Sequence, residues 1–296
     1  MSSWQSYVLR LAQHGFRALS GRFSGLDVAR ERRNAAFAEQ MFKPSASVQY
    51  SAVTANGVPA EWLVPIGLST ERVVLYVHGG AFYSGTLVGA RPVAGEIALA
   101  GKARVLTVDY RLSPEYPFPA ALDDVGIAYE WLLASGISPD SIVLVGDSAG
   151  GTLVLALLVQ LRDQGKPLPN NAVCLSPTTD LTLSGETWTL NARKDLLLDP
   201  EKIRAAIDLY LQGTDPRTPL ASPLYADLHA LPPLLILVGS DEQLLSDATR
   251  FAAKAQAAGV TVTLEIWDRM QHGWHIVAAF LPEGRRAIAR IGEFIE

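Results

Sequence analysis

The sequence predicts an α/β fold, a mostly parallel sheet covered on both faces by helices. Two observations lead there. Short runs rich in Val, Ile and Leu alternate with helical patterns along most of the chain. The runs also lack strict polar alternation, as expected of strands buried on both faces.

Residues 1 to about 45 come first. Trp4, Tyr7, Val8, Leu11 and Phe16 recur at roughly helical spacing, as do Ala36, Phe37 and Met41. They are read as packing helices, since basic residues are too few for a membrane-surface helix. The expected strands are Arg72–Val77, Val105–Val108, Ile142–Val145, Val173–Leu175, Leu234–Val238 and Val262–Ile266. The expected helices are Val93–Leu99, Ala120–Leu133, Thr152–Arg162, Asp247–Ala258 and Arg285–Ile295. Residues 178–222 break the alternation. They hold a polar loop, a helix over Glu201–Leu211 and an exit carrying Pro216, Pro219 and Pro223. They read as an insertion near the strand ends, able with the N-terminal helices to cover a pocket. The expected division is therefore cap helices over 1–45, a main domain over 46–177 and 223–296, and a cap insertion over 178–222.

Composition narrows the function. The chain has 296 residues, 49% of them hydrophobic and 19% charged, long enough for one large core or two modest ones. Its net charge of −5 and the absence of a dense Lys/Arg run argue against nucleic-acid binding. Arg10, Gln13, His14 and Arg17 interrupt any secretory apolar region, and no apolar run reaches membrane-spanning length. The lone Cys174 forms no internal disulfide and reads as a small core residue. These readings predict a soluble cytoplasmic protein.

In sheets of this kind ligands sit beyond the carboxyl ends of the strands. Gly146-Asp147-Ser148-Ala149-Gly150 follows one such end and precedes an apolar helix. A serine in a strained strand-to-helix turn, flanked by glycines, projects its hydroxyl at the sheet edge. His78-Gly79-Gly80-Ala81 follows another strand, and glycines there let backbone N–H groups approach a developing oxyanion. The N–H of Ala149 is the second donor source. The serine needs a base. Among five histidines, His272 lies in the loop after the last strand, where chain order puts it. His275 follows three residues later, but no carboxylate or cysteine completes a metal pair. No metal or organic cofactor is expected. The acid should follow the strand ending at Val238. Asp247 suits a helix cap, while Asp241 and Glu242 both fit the acid's place.

With these motifs in order, the chain resembles bacterial esterases of the hormone-sensitive lipase family, from about residue 45 to the C-terminus. His78–Ala81, Asp109-Tyr110-Arg111-Leu112-Ser113-Pro114-Glu115, Pro117-Phe118-Pro119-Ala120-Ala121 and Gly146–Gly151 carry the resemblance. It implies an α/β-hydrolase fold with a helical cap, a serine nucleophile at Ser148, a base at His272, and an oxyanion hole from Gly80, Ala81 and Ala149. It also implies that His78 and Gly79 support that loop, and that Asp109–Glu115 forms a buried ion network bracing it. Two positions depart from the family. Ala81 stands where a third glycine is frequent. The acid motif Asp-Pro-Leu-x-Asp is altered, and only Glu242 places a leucine, Leu244, two residues later. Glu242 also lies 30 residues before His272, so the resemblance favours it over Asp241.

The implied activity is hydrolysis of short-chain carboxylic esters through an acyl-enzyme, its rate falling as His272 protonates near or below pH ~6.5. A lactonase or amidase would use the same residues. A non-catalytic receptor on this fold would be expected to lose the nucleophile or base, and this chain keeps both. Trp4, Phe16, Phe82, Tyr83, Trp188 and Tyr210 are candidate pocket liners. The helix Arg285–Ile295 offers a surface for a homodimer, as in related proteins.

Overall fold

The computed structural model of the protein describes residues 3–7, 25–39 and 44–296. Eight strands form one sheet in the order β1-β2-β4-β3-β5-β6-β7-β8. They are β1 (Val48–Ala55), β2 (Val58–Pro65), β3 (Val73–Val77), β4 (Arg104–Val108), β5 (Ile142–Asp147), β6 (Asn171–Leu175), β7 (Leu234–Gly239) and β8 (Val262–Trp267). From β4 to β8 every neighbouring pair is parallel, whereas β1, β2 and β4 pair antiparallel.

The first two strands escape the sequence reading. They form a hairpin across Asn56 and Gly57, both at positive φ as a tight two-residue turn requires. At the sheet edge β1 is half exposed, so its apolar signal is weak. The six expected strands are present with ends shifted by one or two residues. β3, β5, β6 and β7 are buried along their whole length. Their continuous apolar runs follow from coverage on both faces.

The helices are α1 (Val28–Glu39), α2 (Leu87–Ala100), α3 (Ala120–Ala134), α4 (Ala149–Asp163), the single turn α5 (Thr187–Leu190), α6 (Pro200–Leu211), α7 (Leu245–Ala257) and α8 (Pro282–Ile295). Local chemistry sets several starts. Thr86 caps α2 by accepting the N–H of Gly89, and Asp199 caps α6 with Pro200 at its first turn. Helices α3, α4 and α7 cover one face of the sheet, and α2 and α8 the other. Helix α4 is buried almost throughout, which makes it the central support behind β5.

Several expectations change. Residues 4–7 are helical, but Val8, Leu11, Phe16 and Met41 lie outside the described residues. Asp247 does not cap α7, whose preceding residue is Leu244. Its carboxylate instead accepts the N–H groups of Thr179 and Asp180 and the indole N–H of Trp188. The charges of Asp109–Glu115 form no single buried network. Arg111, itself exposed, pairs with the buried Asp124, and Glu115 pairs with Arg32 of α1 at the surface. Arg32 still reaches the loop after β3 by donating to the Tyr83 carbonyl. Among the described residues no helix is long and apolar enough to cross a membrane.

Candidate active site

Strand β5 runs straight into Ser148, which has φ +52° and ψ −121°, a strained conformation for a residue with a side chain. The glycines around it are dictated by space. A Cβ on Gly146 would meet the Gly150 carbonyl, and one on Gly150 would meet the Val77 carbonyl of β3. Larger residues would push the helix away from the sheet. The Ser148 N–H is held by the Leu175 carbonyl at 2.8 Å.

The loop after β8 brings His272 to the serine. Its Nε2 lies 3.1 Å from Ser148 Oγ, and its Nδ1 lies 3.0 Å from Glu242 Oε2. His272 is buried and Glu242 completely so. The other Glu242 oxygen accepts from Ser176 Oγ and from the Gly239 N–H, each at 2.7 Å. These bonds hold the buried carboxylate in one orientation. Burial alone would disfavour a protonated His272. The Glu242 hydrogen bond and charge, with the charges of Asp195 and Asp147, outweigh it, raising the histidine above its ordinary value. The N–H of the neighbouring Asp241 bonds the Met270 carbonyl. His275 faces Asp147 instead, with Nε2 3.8 Å from its Oδ2. Ser176 escapes the sequence reading. Its signal is position alone, since it follows β6, the neighbour of β7, which leads into Glu242.

The loop after β3 faces the elbow. Gly80, Ala81 and Phe82 all have positive φ, at 125°, 49° and 63°. A Cβ on Gly80 would strike the Ser84 carbonyl, so glycine is required there. The Gly79 N–H donates to Asp147 Oδ1 at 3.0 Å, and Tyr76 donates to the same oxygen. Despite full burial, which raises its pKa, Asp147 is held low by His275, Tyr76 and His78. His78 stacks on Tyr110 at 4.4 Å and its carbonyl accepts the Tyr110 hydroxyl. Its Nδ1 contacts the Gly79 carbonyl at 2.7 Å. Among the described residues, the N–H groups of Gly80, Ala81 and Ala149 enter none of the hydrogen bonds.

Of the candidate liners, Trp4 is exposed, and Phe82 and Tyr210 stack on each other at 3.8 Å. Trp188 is buried on Asp247, Tyr83 is half-buried, and Phe16 lies outside the described residues.

Sheet order, elbow and hydrogen-bonded serine together define a protein of the α/β-hydrolase class. The sequence profile of the α/β hydrolase fold matches residues 74–276. An acetyl-hydrolase of Streptomyces hygroscopicus is 41% identical over 97% of this chain and 94% of its own. An esterase of Acinetobacter venetianus is 37% identical over 86% of this chain and 84% of its own. Among solved structures, an esterase of the bacterial hormone-sensitive lipase family superposes with a TM-score of 0.94 at 45% identity. That match covers 100% of this chain and 98% of the other. The esterase EstE5, soaked with p-nitrophenyl butyrate, gives 0.94 at 41% identity, covering 99% and 98%. The chain belongs to the α/β-hydrolase family, in its bacterial hormone-sensitive lipase branch.

Proposed function

We propose that the protein is a carboxylesterase acting on short-chain acyl esters, with Ser148 as nucleophile, His272 as base and Glu242 as acid. The observation that carries this reading is the unbroken line of hydrogen bonds from Ser148 through His272 to Glu242. With Nδ1–H donated to Glu242, the Nε2 lone pair faces the serine hydroxyl. His272 takes that proton as Ser148 Oγ attacks the ester carbonyl. Glu242 stabilises the imidazolium without itself taking a proton. The oxyanion rests on the N–H groups of Gly80, Ala81 and Ala149, which have no competing acceptor among the described residues. Asp147 and His78 hold that loop in place. His272 then protonates the leaving alcohol, and a water attacks the acyl-enzyme by the same steps.

The cap of this reading comprises residues 1–45 and 178–222. Two contacts support it: Lys202 of α6 pairs with Glu31 of α1 at 2.7 Å, and Tyr210 of α6 stacks on Phe82 beside the oxyanion loop. The side chain of Ala81 narrows the acyl side of the site, favouring short acyl groups. The names of the acetyl-hydrolase and esterase relatives point the same way.

The test is hydrolysis of p-nitrophenyl esters from acetate to decanoate by the wild type and Ser148→Ala. The expected result is turnover that declines beyond butyrate and falls at least about a thousandfold in the variant. No turnover of any short ester would overturn the assignment. Equal rates on long and short acyl chains would overturn the chain-length reading.

A further inference from the structure

The insertion between β6 and β7 holds more than a wall of the site. Its segment Thr187–Leu198 hydrogen-bonds the loop that carries Glu242. Asn191 Nδ2 donates to the carbonyl of Glu242 at 2.8 Å and to that of Ser240 at 3.1 Å. Asp195 Oδ2 accepts the Gln243 N–H at 3.0 Å. Thr187 Oγ1 donates to the Gln243 carbonyl at 2.7 Å and accepts the Ser246 N–H at 2.9 Å. Gln243 returns the contact by donating to the Leu198 carbonyl. All four of these polar side chains are buried, Asp195 and Gln243 completely.

Main-chain groups of Ser240, Glu242, Gln243 and Ser246 are thus held by side chains of a segment some 50 residues earlier in the chain. Glu242 is gripped at both ends. Its carboxylate meets His272, Ser176 and the Gly239 N–H, and its carbonyl meets Asn191. A buried polar network of this kind fixes one geometry, because each lost partner leaves an unsatisfied group behind.

We propose that Asn191, with Thr187 and Asp195, is a positioning residue that keeps Glu242 in register with His272, so that the cap insertion sets the alignment of the triad. This rests on the esterase reading above. Within the triad, Asn191 and Thr187 hydrogen-bond only the Glu242 loop, so their effect must pass through Glu242, whereas the charge of Asp195 also acts on His272 directly.

The test is a double-mutant cycle of Asn191→Ala and Glu242→Gln, read by kcat and KM on p-nitrophenyl acetate and butyrate. Asn191→Ala alone is expected to lower kcat about tenfold, with KM within about twofold on both esters. In the Glu242→Gln background it should cause little further loss. Losses that multiply, or a KM change that grows with acyl length, would overturn the proposal in favour of a plain pocket wall. A second readout needs no turnover. The Nδ1 proton of His272, followed by NMR in the resting protein, should shift or broaden in Asn191→Ala. An unchanged resonance would overturn the proposal. If the wild type hydrolyses no ester, the esterase reading fails while the NMR comparison still decides this one. If Asn191→Ala does not fold, Thr187→Val removes the hydroxyl on the Gln243 carbonyl at nearly constant volume and serves in both experiments.

Discussion

Glu242 holds His272 from beneath at 3.0 Å, and its second oxygen is saturated by Ser176 and the Gly239 N–H. The carboxylate therefore has one direction left in which to act, toward Nδ1 of the imidazole. That fixes the tautomer with Nε2 free for Ser148.

Glu242→Gln should lower kcat on p-nitrophenyl butyrate by about ten-thousandfold, because an amide presents no charge to the imidazolium and permits the wrong tautomer. Asp241→Asn should leave kcat within about threefold. Comparable losses in both variants would contradict the assignment of the acid.

The pH profile carries its own sign. The raised pKa of His272 puts the acid limb of kcat/KM above the ordinary histidine value of about 6.5. This differs from the expectation of pH ~6.5 or below, because the ordinary histidine value carries neither the burial of His272 nor the strength of its hydrogen bond to Glu242. In the proposed mechanism the base works when neutral, so activity rises with pH through that limb and is lost below it. Burial lowers the pKa and Glu242 raises it, so Glu242→Gln should move the limb downward on whatever activity remains. A limb that stays put would show that Glu242 does not set the histidine.

Gly150 permits the tight approach of α4 to β3. In Gly150→Ala the new methyl meets the Val77 carbonyl, which belongs to a fully buried strand. Backbone cannot rotate away as a flexible side chain can. The variant should be destabilised by several degrees in Tm and should lose activity beyond its loss of folded protein. Gly136→Ala is the comparison, since nothing lies within 4 Å of a Cβ there although its φ is +83°. Gly136→Ala should cost stability alone.

How much of this was legible follows from the physics of each signal. The parallel strands were readable because burial on both faces leaves a continuous apolar run, as in Leu234–Val238. The elbow and the glycine loop after β3 were readable because steric demand at Gly146, Gly150 and Gly80 leaves few residues to choose from. The hairpin β1–β2 was not, because an edge strand with one wet face carries a weak pattern. Asn191, Asp195 and Ser176 were not, because they act on a loop far away in the chain and no local spacing records that contact. Asp247 was misread for the same reason: its partners Thr179, Asp180 and Trp188 lie some 60 residues upstream.

Leu144 sits at the centre of β5, completely buried, two residues before the elbow glycine. Leu144→Ala should cost about 2–5 kcal/mol of unfolding free energy, measured by urea denaturation. The site should keep most of its kcat per folded molecule, because the hydrogen bonds of Ser148 do not pass through this side chain. A loss below about 1 kcal/mol would mean that the surrounding strands close over the cavity.

Asp247 links the base of the insertion to α7, and burial pushes its carboxyl up to about 7 from an unfolded value of 3.8. Between these values the folded protein holds a proton that the unfolded chain releases. The stability from this group is therefore fully present below about pH 4 and lost as pH rises through about 7. Asp247→Asn removes the titration while keeping an oxygen for the N–H groups of Thr179 and Asp180. The stability difference, wild type minus variant, should fall steadily from pH 4 to pH 7 and level off above pH 8. A difference independent of pH across that window would show that Asp247 is ionised throughout. The three N–H donors around it would then outweigh its burial.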